Sequence, residues 1–198
     1  MSDEGRRLAE ERRAARVAAL AAALDEFLGR EERERVLEIG CGHGHWLVSL
    51  AEHSPESRLA GVDLRSRRIR LAERKVERRG LSNVRFFKAD AAEALEAWPG
   101  DRPIHRVFLL HPDPWPKKRH AKNRLTGPGI LDRIADRTIP GGELYFRTDD
   151  APFHEWSRES IRAHPAWEPA DLSWPHEAGS FFKDLLGVHG TLTAIRRP

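Results

Sequence analysis

The stretch from Pro112 to His120 gathers several side chains that can bind ligands within nine residues. It places one acid, Asp113, close to an aromatic ring, Trp115, and continues into the basic run Lys117-Lys118-Arg119. Prolines at positions 112, 114 and 116 fix φ and remove backbone donors, so this segment cannot extend a strand or a helix. An acid, a flat ring and a cationic cluster on one stiff loop suit an anionic substrate that carries an aromatic base.

Acidic residues recur at the ends of predicted strands. Five apolar runs end at or just before an acid, namely Glu38, Asp63, Asp90, Asp113 and Asp149. Predicted strands and helices alternate along the chain, which indicates a doubly wound, mostly parallel α/β sheet with helices on both faces. Ligands bind such sheets at the carboxyl ends of the strands. Any one of these acids alone could be a helix N-cap, whereas five at one rim predict a binding site.

Hydrophobic periodicity and turn residues predict the elements that position this rim. Helices are expected at residues 5–29, 45–53, 66–79, 91–98, 129–137 and 151–163. Strands are expected at 36–39, 58–63, 84–90, 106–111, 143–148 and 191–195, with a less well-defined strand at 167–172. Residues 1–34 then form a helix on or beside one domain over residues 35–198. The arginines of this helix form either a solvated face paired with Glu10 and Glu11, which we favour, or a basic arm for nucleic acid; they are Arg6, Arg7, Arg12, Arg13 and Arg16.

A glycine-rich loop follows the first predicted strand and lets the backbone approach a ligand. A dinucleotide-binding loop would have its third glycine at position 45, where this chain has His45. Glu38 would also repel a pyrophosphate by about 4 kcal/mol at an effective dielectric near 20. S-adenosylmethionine has no phosphate and is cationic, its ribose diol suits Asp63, and its adenine amine suits Asp90. The loop therefore predicts this cofactor and disfavours an NAD-linked oxidoreductase.

Composition narrows the class of protein. The chain of 198 residues is 39% hydrophobic and 33% charged, which fits one soluble domain. Its sequence pI of about 9.3 favours a polyanionic partner. No apolar run reaches membrane-spanning length, no signal segment opens the chain, and Cys41 is the single cysteine, so we expect a cytoplasmic protein with no membrane contact. The histidines lack metal-site spacing, so no metal is expected.

Several motifs resemble the bacterial tRNA (guanine-N7)-methyltransferases, a family of class I S-adenosylmethionine-dependent enzymes. They are Glu38 to Gly44, Gly61-Val62-Asp63, Asp90-Ala91, His111 to His120 and Thr148-Asp149, in matching order from about residue 35 to 160. The resemblance implies a Rossmann-like methyltransferase domain over residues 35–198. It also implies methyl transfer to N7 of a guanine in the tRNA variable loop. The implied cofactor-binding residues are Glu38, Gly40, Gly42, Gly44, Asp63, Asp90, Ala91 and Asp113. The implied tRNA-binding residues are Lys117, Arg119, Asp149 and Ser180.

Guanine N7 has a free lone pair, so its methylation needs positioning and no general base. We interpret Asp113 as the catalytic residue, which orients the base and stabilises the migrating positive charge. Trp115 could stack on a base, although we favour a packing role for it. The basic residues of and after the proline segment are expected to bind phosphates; they are Lys117, Lys118, Arg119, Lys122 and Arg124.

The carboxyl-terminal part departs from the resembled family, which has Thr-x-Phe-Glu near the substrate guanine. Here the matching segment is Ser180-Phe181-Phe182-Lys183, so Lys183 stands where the family has glutamate. Two alternatives therefore stay open. One is a methyltransferase of the same fold that acts on another RNA or a small molecule, and the other is a tRNA-binding protein without catalysis. A monomer or a weak homodimer is expected.

Overall fold

A computed structural model describes residues 2–177 and 190–198 of the chain. Its helices are α1 (Asp3–Leu28), α2 (His45–His53), α3 (Ser66–Arg79), α4 (Ala91–Ala97), α5 (Pro128–Arg137) and α6 (Ala151–Ala163). Its strands are β1 (Arg35–Ile39), β2 (Arg58–Asp63), β3 (Val84–Lys88), β4 (Ile104–Leu110), β5 (Thr138–Thr148), β6 (Trp167–Pro169) and β7 (Gly190–Arg196). A 3₁₀ helix, Lys118–Asn123, follows the proline segment.

The strands form one sheet in the order β3-β2-β1-β4-β5-β7-β6. Strands β1 to β5 pair in parallel, and β7 lies antiparallel to both β5 and β6. The mostly parallel, doubly wound sheet is therefore confirmed. The strand order reverses between β1 and β4, whose register places Glu38 opposite Phe108. A reversal of this kind opens a crevice at the carboxyl ends of the two strands.

Both faces of the sheet are covered. Helices α1, α4, α5 and α6 pack on one face. Helices α2 and α3 cover part of the other face, and the segment 170–177 covers the rest with Leu172 and Trp174. The ring of Phe108 stacks on Tyr145 at 4.7 Å between ring centroids, and the edge of Trp174 meets Tyr145 at 5.2 Å. The segment 170–177, which has no regular secondary structure, thus covers the part of this face that α2 and α3 leave open.

Polar contacts fix the segment 170–177 to the body of the protein. Trp46 Nε1 donates to the carbonyl oxygen of His176 at 3.1 Å, and the Ser49 hydroxyl lies 2.9 Å from His176 Nε2. Arg147 Nη2 donates to Glu177 at 3.0 Å. Since Arg147 is the penultimate residue of β5, the segment ends beside the carboxyl end of that strand.

Helix α1 begins two residues earlier than the sequence predicts, because the Ser2 hydroxyl accepts from Gly5 N at 3.2 Å and caps it. Four of its arginines, Arg6, Arg7, Arg13 and Arg16, form ion pairs, and only Arg7 does so with an expected partner. Arg7 pairs with Glu11 at 3.6 Å. Arg16 instead pairs with Glu93 of α4 at 2.6 Å. The basic face of α1 therefore docks this helix on its neighbour as well as facing solvent.

The ends of several strands differ from the prediction. Strand β5 begins at Thr138, because Thr138 pairs with Ile104 before a register shift that accommodates Pro140-Gly141-Gly142. Strand β6 is only Trp167–Pro169, since its pairing with β7 ends there. None of the helices in residues 2–177 and 190–198 is long and apolar enough to cross a membrane.

Candidate functional site

Glu38 is a buried acid near the carboxyl end of β1, with 3% of its surface exposed. Burial and the neighbouring charge of Asp63 raise the pKa of Glu38 to about 8. Its Oε2 atom is buried and has no hydrogen-bond partner among the described residues. Native proteins rarely leave a buried polar atom unpaired, so this oxygen indicates a place for a donor or a cation of a ligand.

The glycines that follow Glu38 do two different things. Gly40 and Gly42 have φ of 81° and 56°, and a Cβ at either position would meet nothing within 4 Å. The space beside them is therefore open to a ligand. A Cβ on Gly44 would lie 2.5 Å from the ring of Phe86 and 2.8 Å from Ala72. Gly44 is thus needed for close packing of α2 against α3 and β3, a role that the sequence pattern does not distinguish from ligand approach.

Asp63 ends β2 and organises the glycine loop. Its Oδ1 atom accepts from Arg65 N at 2.8 Å. Its Oδ2 atom accepts from Gly42 N at 3.2 Å and from the guanidinium of Arg68 at 3.2 Å. Arg68 is not among the predicted site residues, although its place in the first helical turn after a strand-end acid is a usable signal. One acceptor direction of Oδ1 remains for a ligand.

Asp90 and Ala91 lie at the same rim, at the start of α4. The Oδ1 atom of Asp90 accepts from Glu93 N at 2.7 Å and so caps the helix. This oxygen therefore has the usual role of an acid between a strand and a helix, which is to cap the helix. The side chain is half-buried, and its second oxygen has no hydrogen bond within the described residues. Asp90 can cap α4 and still offer an acceptor to a ligand.

Hydrogen bonds from Arg124 fix the backbone of the proline segment. The guanidinium of this residue donates from Nε to the carbonyl oxygen of Pro114 at 2.8 Å and from Nη2 to that of Trp115 at 3.2 Å. It also lies 4.5 Å above the ring of Trp156 and 5.4 Å above that of Phe153. Arg124 therefore fixes the loop through its backbone carbonyls, a role that the sequence does not predict, and its expected contact with phosphates stays a prediction.

The side chains at the tip of the loop face outward. Asp113, Lys117 and Arg119 are exposed, and Asp113 has no polar partner within the described residues. Trp115 is 36% exposed, has a φ of 45°, and contacts His120 edge-on at 5.6 Å between ring centroids. Its expected packing role is therefore wrong, because the side chain is exposed and belongs to neither hydrophobic cluster of the described residues.

Asp149 follows β5 directly, and its Oδ1 atom lies 3.4 Å from Nδ1 of His111 at the end of β4. The two parallel strands thus bring Asp149 to the base of the proline segment, as the strand-end pattern predicts. Its side chain is 42% exposed. Ser180, and with it the segment that departs from the resembled family, lies outside the described residues.

Cations border the glycine loop on the side of α3. Lys75 donates to the carbonyl oxygen of His43 and lies 3.2 Å from Nε2 of His45. Burial and the charge of Lys75 lower the pKa of both histidines. Within residues 2–177 and 190–198, no group of three or more histidine, cysteine or acidic side chains is placed to hold a metal ion.

A family model described as "Putative methyltransferase" matches residues 32–181. The chain belongs to this methyltransferase family. The chain is 37% identical over 145 residues to the tRNA (guanine-N(7)-)-methyltransferase of Halorhodospira halophila, covering 73% of this chain and 62% of that protein. It is 40% identical over 145 residues to the protein of the same name from Alkalilimnicola ehrlichii, covering 73% and 61%. The chain therefore spans about three fifths of the length of these curated relatives.

The fold of the chain is shared with solved structures of low sequence identity. The crystal structure of the 16S rRNA methyltransferase KamB matches with a TM-score of 0.65 and 16% identity, over 89% of this chain and 94% of that one. The likeness shows the Rossmann-like class I methyltransferase fold that the sequence motifs imply.

Proposed function

We propose that this methyltransferase transfers the methyl group of S-adenosylmethionine to N7 of a guanine in the variable loop of tRNA. The observation that supports the cofactor is the unpartnered buried oxygen of Glu38 beside the open backbone of Gly40 and Gly42. An oxygen of this kind favours a cationic ligand without phosphates. The names of the curated relatives, and the exposed basic loop at the same rim, support tRNA as the acceptor.

The residues present fit the cofactor. Glu38 would hold its cationic part, Asp63 its ribose hydroxyls, and Asp90 with Ala91 its adenine. Bound there, S-adenosylmethionine supplies an electrophilic methyl group attached to a sulfonium. Glu38 is mostly protonated at pH 7, because its pKa is about 8, and a neighbouring cation favours its ionised form. The buried acid therefore becomes a counter-ion only when a positive group arrives.

Asp113 acts on the acceptor guanine. Because N7 carries a lone pair at neutral pH, no base has to remove a proton, and orientation is the main task. The exposed carboxylate of Asp113 accepts from the amino edge of the base and stabilises the positive charge that develops on it. Arg124 holds the loop that carries Asp113, so the acid is positioned before the substrate binds.

Lys117 and Arg119 bind backbone phosphates of the tRNA, and Asp149 contacts the RNA at the base of the loop. Their exposure at the carboxyl rim supports these roles. Ser180 is proposed as a substrate contact from the family resemblance alone. We further propose that residues 35–198 form the catalytic domain with α1 docked on it, and that the protein acts in the cytoplasm on free tRNA as a monomer or weak homodimer.

The test is transfer of labelled methyl from S-adenosylmethionine to bulk tRNA, followed by mapping of the modified base. The expected product is 7-methylguanine in the variable loop, which is lost in the Asp113→Ala variant. Label in another RNA or a small molecule, with none in tRNA, would show that the acceptor is different. Cofactor binding without any transfer would favour a tRNA-binding protein, and no cofactor binding by calorimetry would overturn the proposal as a whole.

A further inference from the structure

A cavity of about 710 Å³ lies at the end of the sheet opposite to the methyltransferase site. Residues at the amino ends of β1, β4 and β5 form its walls, among them Arg35, Arg102, His105 and Ile139. Arg35 begins β1 and stands five residues before Gly40. At about 3.3 Å per residue, the cavity and the glycine loop are roughly 16 Å apart. The proposed cofactor and acceptor residues take no part in this cavity.

Most charges in the wall of the cavity are matched by partners. Asp101 lies 3.6 Å from Arg30 and 3.4 Å from Nε of Arg102. Glu34 pairs with Arg106 and accepts from the hydroxyl of Ser57 at 2.7 Å. These two acids are therefore occupied by other groups. Two further charged residues of the wall leave no unmatched buried charge, because Arg33 pairs with Glu31 at 2.6 Å and Glu32 is exposed to water.

Arg35 is the exception. It is only 7% exposed, and no acid lies within ion-pair distance of it in the part of the chain that the structure describes. Its Nη2 atom donates to the carbonyl oxygen of Glu31 at 3.1 Å, and its buried Nε atom has no acceptor within residues 2–177 and 190–198. Burial and the nearby charge of Arg102 lower the pKa of Arg35, and the more distant charges of Asp101 and Glu32 offset this only in part. A buried cation without a directly paired acid is unfavourable.

His105 adds a second donor to the same cavity. Its Nδ1 atom accepts the backbone N–H of Arg35 at 3.1 Å. Burial and the charge of Arg35 lower the pKa of His105, so the ring is neutral and its proton must be on Nε2. The cavity thus combines a guanidinium whose Nε has no acceptor among the described residues with an imidazole donor held in one orientation by its contact with the backbone of Arg35. The planar fork of arginine matches the oxygens of a phosphate better than any other common ligand group except a carboxylate.

We propose that this cavity binds a phosphate group through Arg35 and His105. The phosphate belongs either to a free nucleotide or to the RNA backbone, and the chemistry of recognition is the same for both. The size of the cavity suits either source, since small-molecule sites occupy about 300–1,000 Å³. The inference does not depend on the proposed methyl transfer, because the two sites share no residue.

The test measures thermal unfolding of the full chain with increasing inorganic pyrophosphate at constant ionic strength. We expect the midpoint of the wild type to rise by about 5 °C or more at 100 times the dissociation constant. Arg35→Met should abolish this rise. Arg58→Met is the matched control, because Arg58 begins the adjacent β2, faces Arg35 in register and does not line the cavity, so it should keep the rise. No rise in the wild type, or an equal rise in Arg35→Met, would overturn the proposal.

A second measurement covers the case in which Arg35→Met does not fold. The side-chain Nε–H resonance of Arg35, assigned by its loss in Arg35→Lys, should shift when pyrophosphate is added to the wild type. A resonance that does not move while other arginines respond would exclude Arg35 as the ligand and overturn the proposal.

Two further arms identify the source of the phosphate. If it is a free nucleotide, adenosine monophosphate should raise the unfolding midpoint, and tRNA binding should be equal in the wild type and Arg35→Met. If it is the RNA backbone, Arg35→Met should weaken tRNA binding and reduce its salt slope by about 1, while the nucleotide has no effect. A response to pyrophosphate alone would restrict the site to inorganic phosphates.

Discussion

The guanidinium of Arg68 lies 3.2 Å from the Oδ2 atom of Asp63. The same oxygen accepts the backbone N–H of Gly42 at 3.2 Å, so both of its lone-pair directions are used. A ribose hydroxyl that binds Asp63 must therefore use Oδ1 or displace Arg68. The side chain of Arg68 is 40% exposed and Asp63 is 6% exposed, so the arginine is the partner that can leave.

Arg68→Met should strengthen cofactor binding by about two- to fivefold, because its loss frees an acceptor of Asp63 and an ion pair whose arginine is partly exposed contributes only about 1 kcal/mol. Calorimetric titration with S-adenosylmethionine checks the change. Arg67→Met is the matched control, since Arg67 is exposed on the same helix turn and makes no contact with Asp63 in the described residues. A weaker affinity in Arg68→Met would show that the arginine supports the binding geometry of Asp63.

Glu38 should make the protein less stable as the pH rises. Its pKa is about 8 in the folded chain and near 4.3 when unfolded, so between these values the native state holds the extra proton. The free energy of unfolding therefore falls as pH rises through this window. Relative to Glu38→Gln, the wild type should lose on the order of 4 kcal/mol between pH 5 and 8. Denaturant unfolding at several pH values measures this, and parallel pH profiles for the two proteins would contradict the raised pKa.

Binding of S-adenosylmethionine at pH 7 should release a proton from Glu38. A cation beside this carboxyl group favours the ionised form, so affinity should rise by up to about tenfold per pH unit below pH 8 and level off above it. Calorimetry in buffers of different ionisation enthalpy counts the released protons. The neutral nucleoside 5′-methylthioadenosine is the control ligand and should release none. Equal proton release in wild type and Glu38→Gln would place the titrating group elsewhere.

Arg124→Met should loosen the proline segment without unfolding the protein. The substitution removes two hydrogen bonds to the carbonyl oxygens of Pro114 and Trp115, and bonds to a charged donor contribute about 1.5–3 kcal/mol each. Trypsin should then cleave after Lys117 or Arg119 at least tenfold faster, and methyl transfer should slow while cofactor affinity is unchanged. Arg158→Met is the control, because among the described residues Arg158 pairs only with exposed Glu155 and Glu159. Unchanged cleavage would show that the loop is held by its prolines alone.

Asp113 and Lys117 should separate catalysis from binding. Asp113→Ala should reduce turnover far more than tRNA affinity, because the acid acts on the positioned base. Lys117→Ala should mainly weaken tRNA binding and reduce the salt slope by about 1, because it removes one phosphate contact. Single-turnover rates and filter binding at several salt concentrations measure the two effects. Equal losses of both quantities in both variants would refute this division of roles.

Local sequence signals predicted the helices whose ends are determined by a capping residue next to them in the chain. Helix α3 ends before Gly80, whose φ of 62° suits glycine, and α6 begins after the N-cap Asp150. These boundaries agree with the prediction. The direction of β7 did not follow from the sequence, because Thr193 pairs with Tyr145 almost fifty positions away and no local pattern encodes that choice.

The site was predictable to the extent that it lies at strand ends. Glu38, Asp63 and Asp90 lie at the rim as expected, because each is at or near the carboxyl end of a parallel strand and these ends share one edge of the sheet. The role of Arg124 was not predictable, since a cation in the sequence gives no indication of which group it faces, and for Arg68 the sequence offered only its place in the first turn after a strand-end acid. Arg124 turns inward to the loop and Arg68 turns to Asp63, and both depend on contacts made only in the folded chain.

Strand β7 lies between β5 and β6, although β6 precedes it along the chain. During synthesis, Trp167–Pro169 therefore leaves the ribosome before the strand that will pair with it exists. The backbone edge of β5 likewise stays unpaired until Gly190–Arg196 arrives. Unpaired edges template association between chains, so the nascent protein passes through a stage at which chaperone protection of this edge matters most.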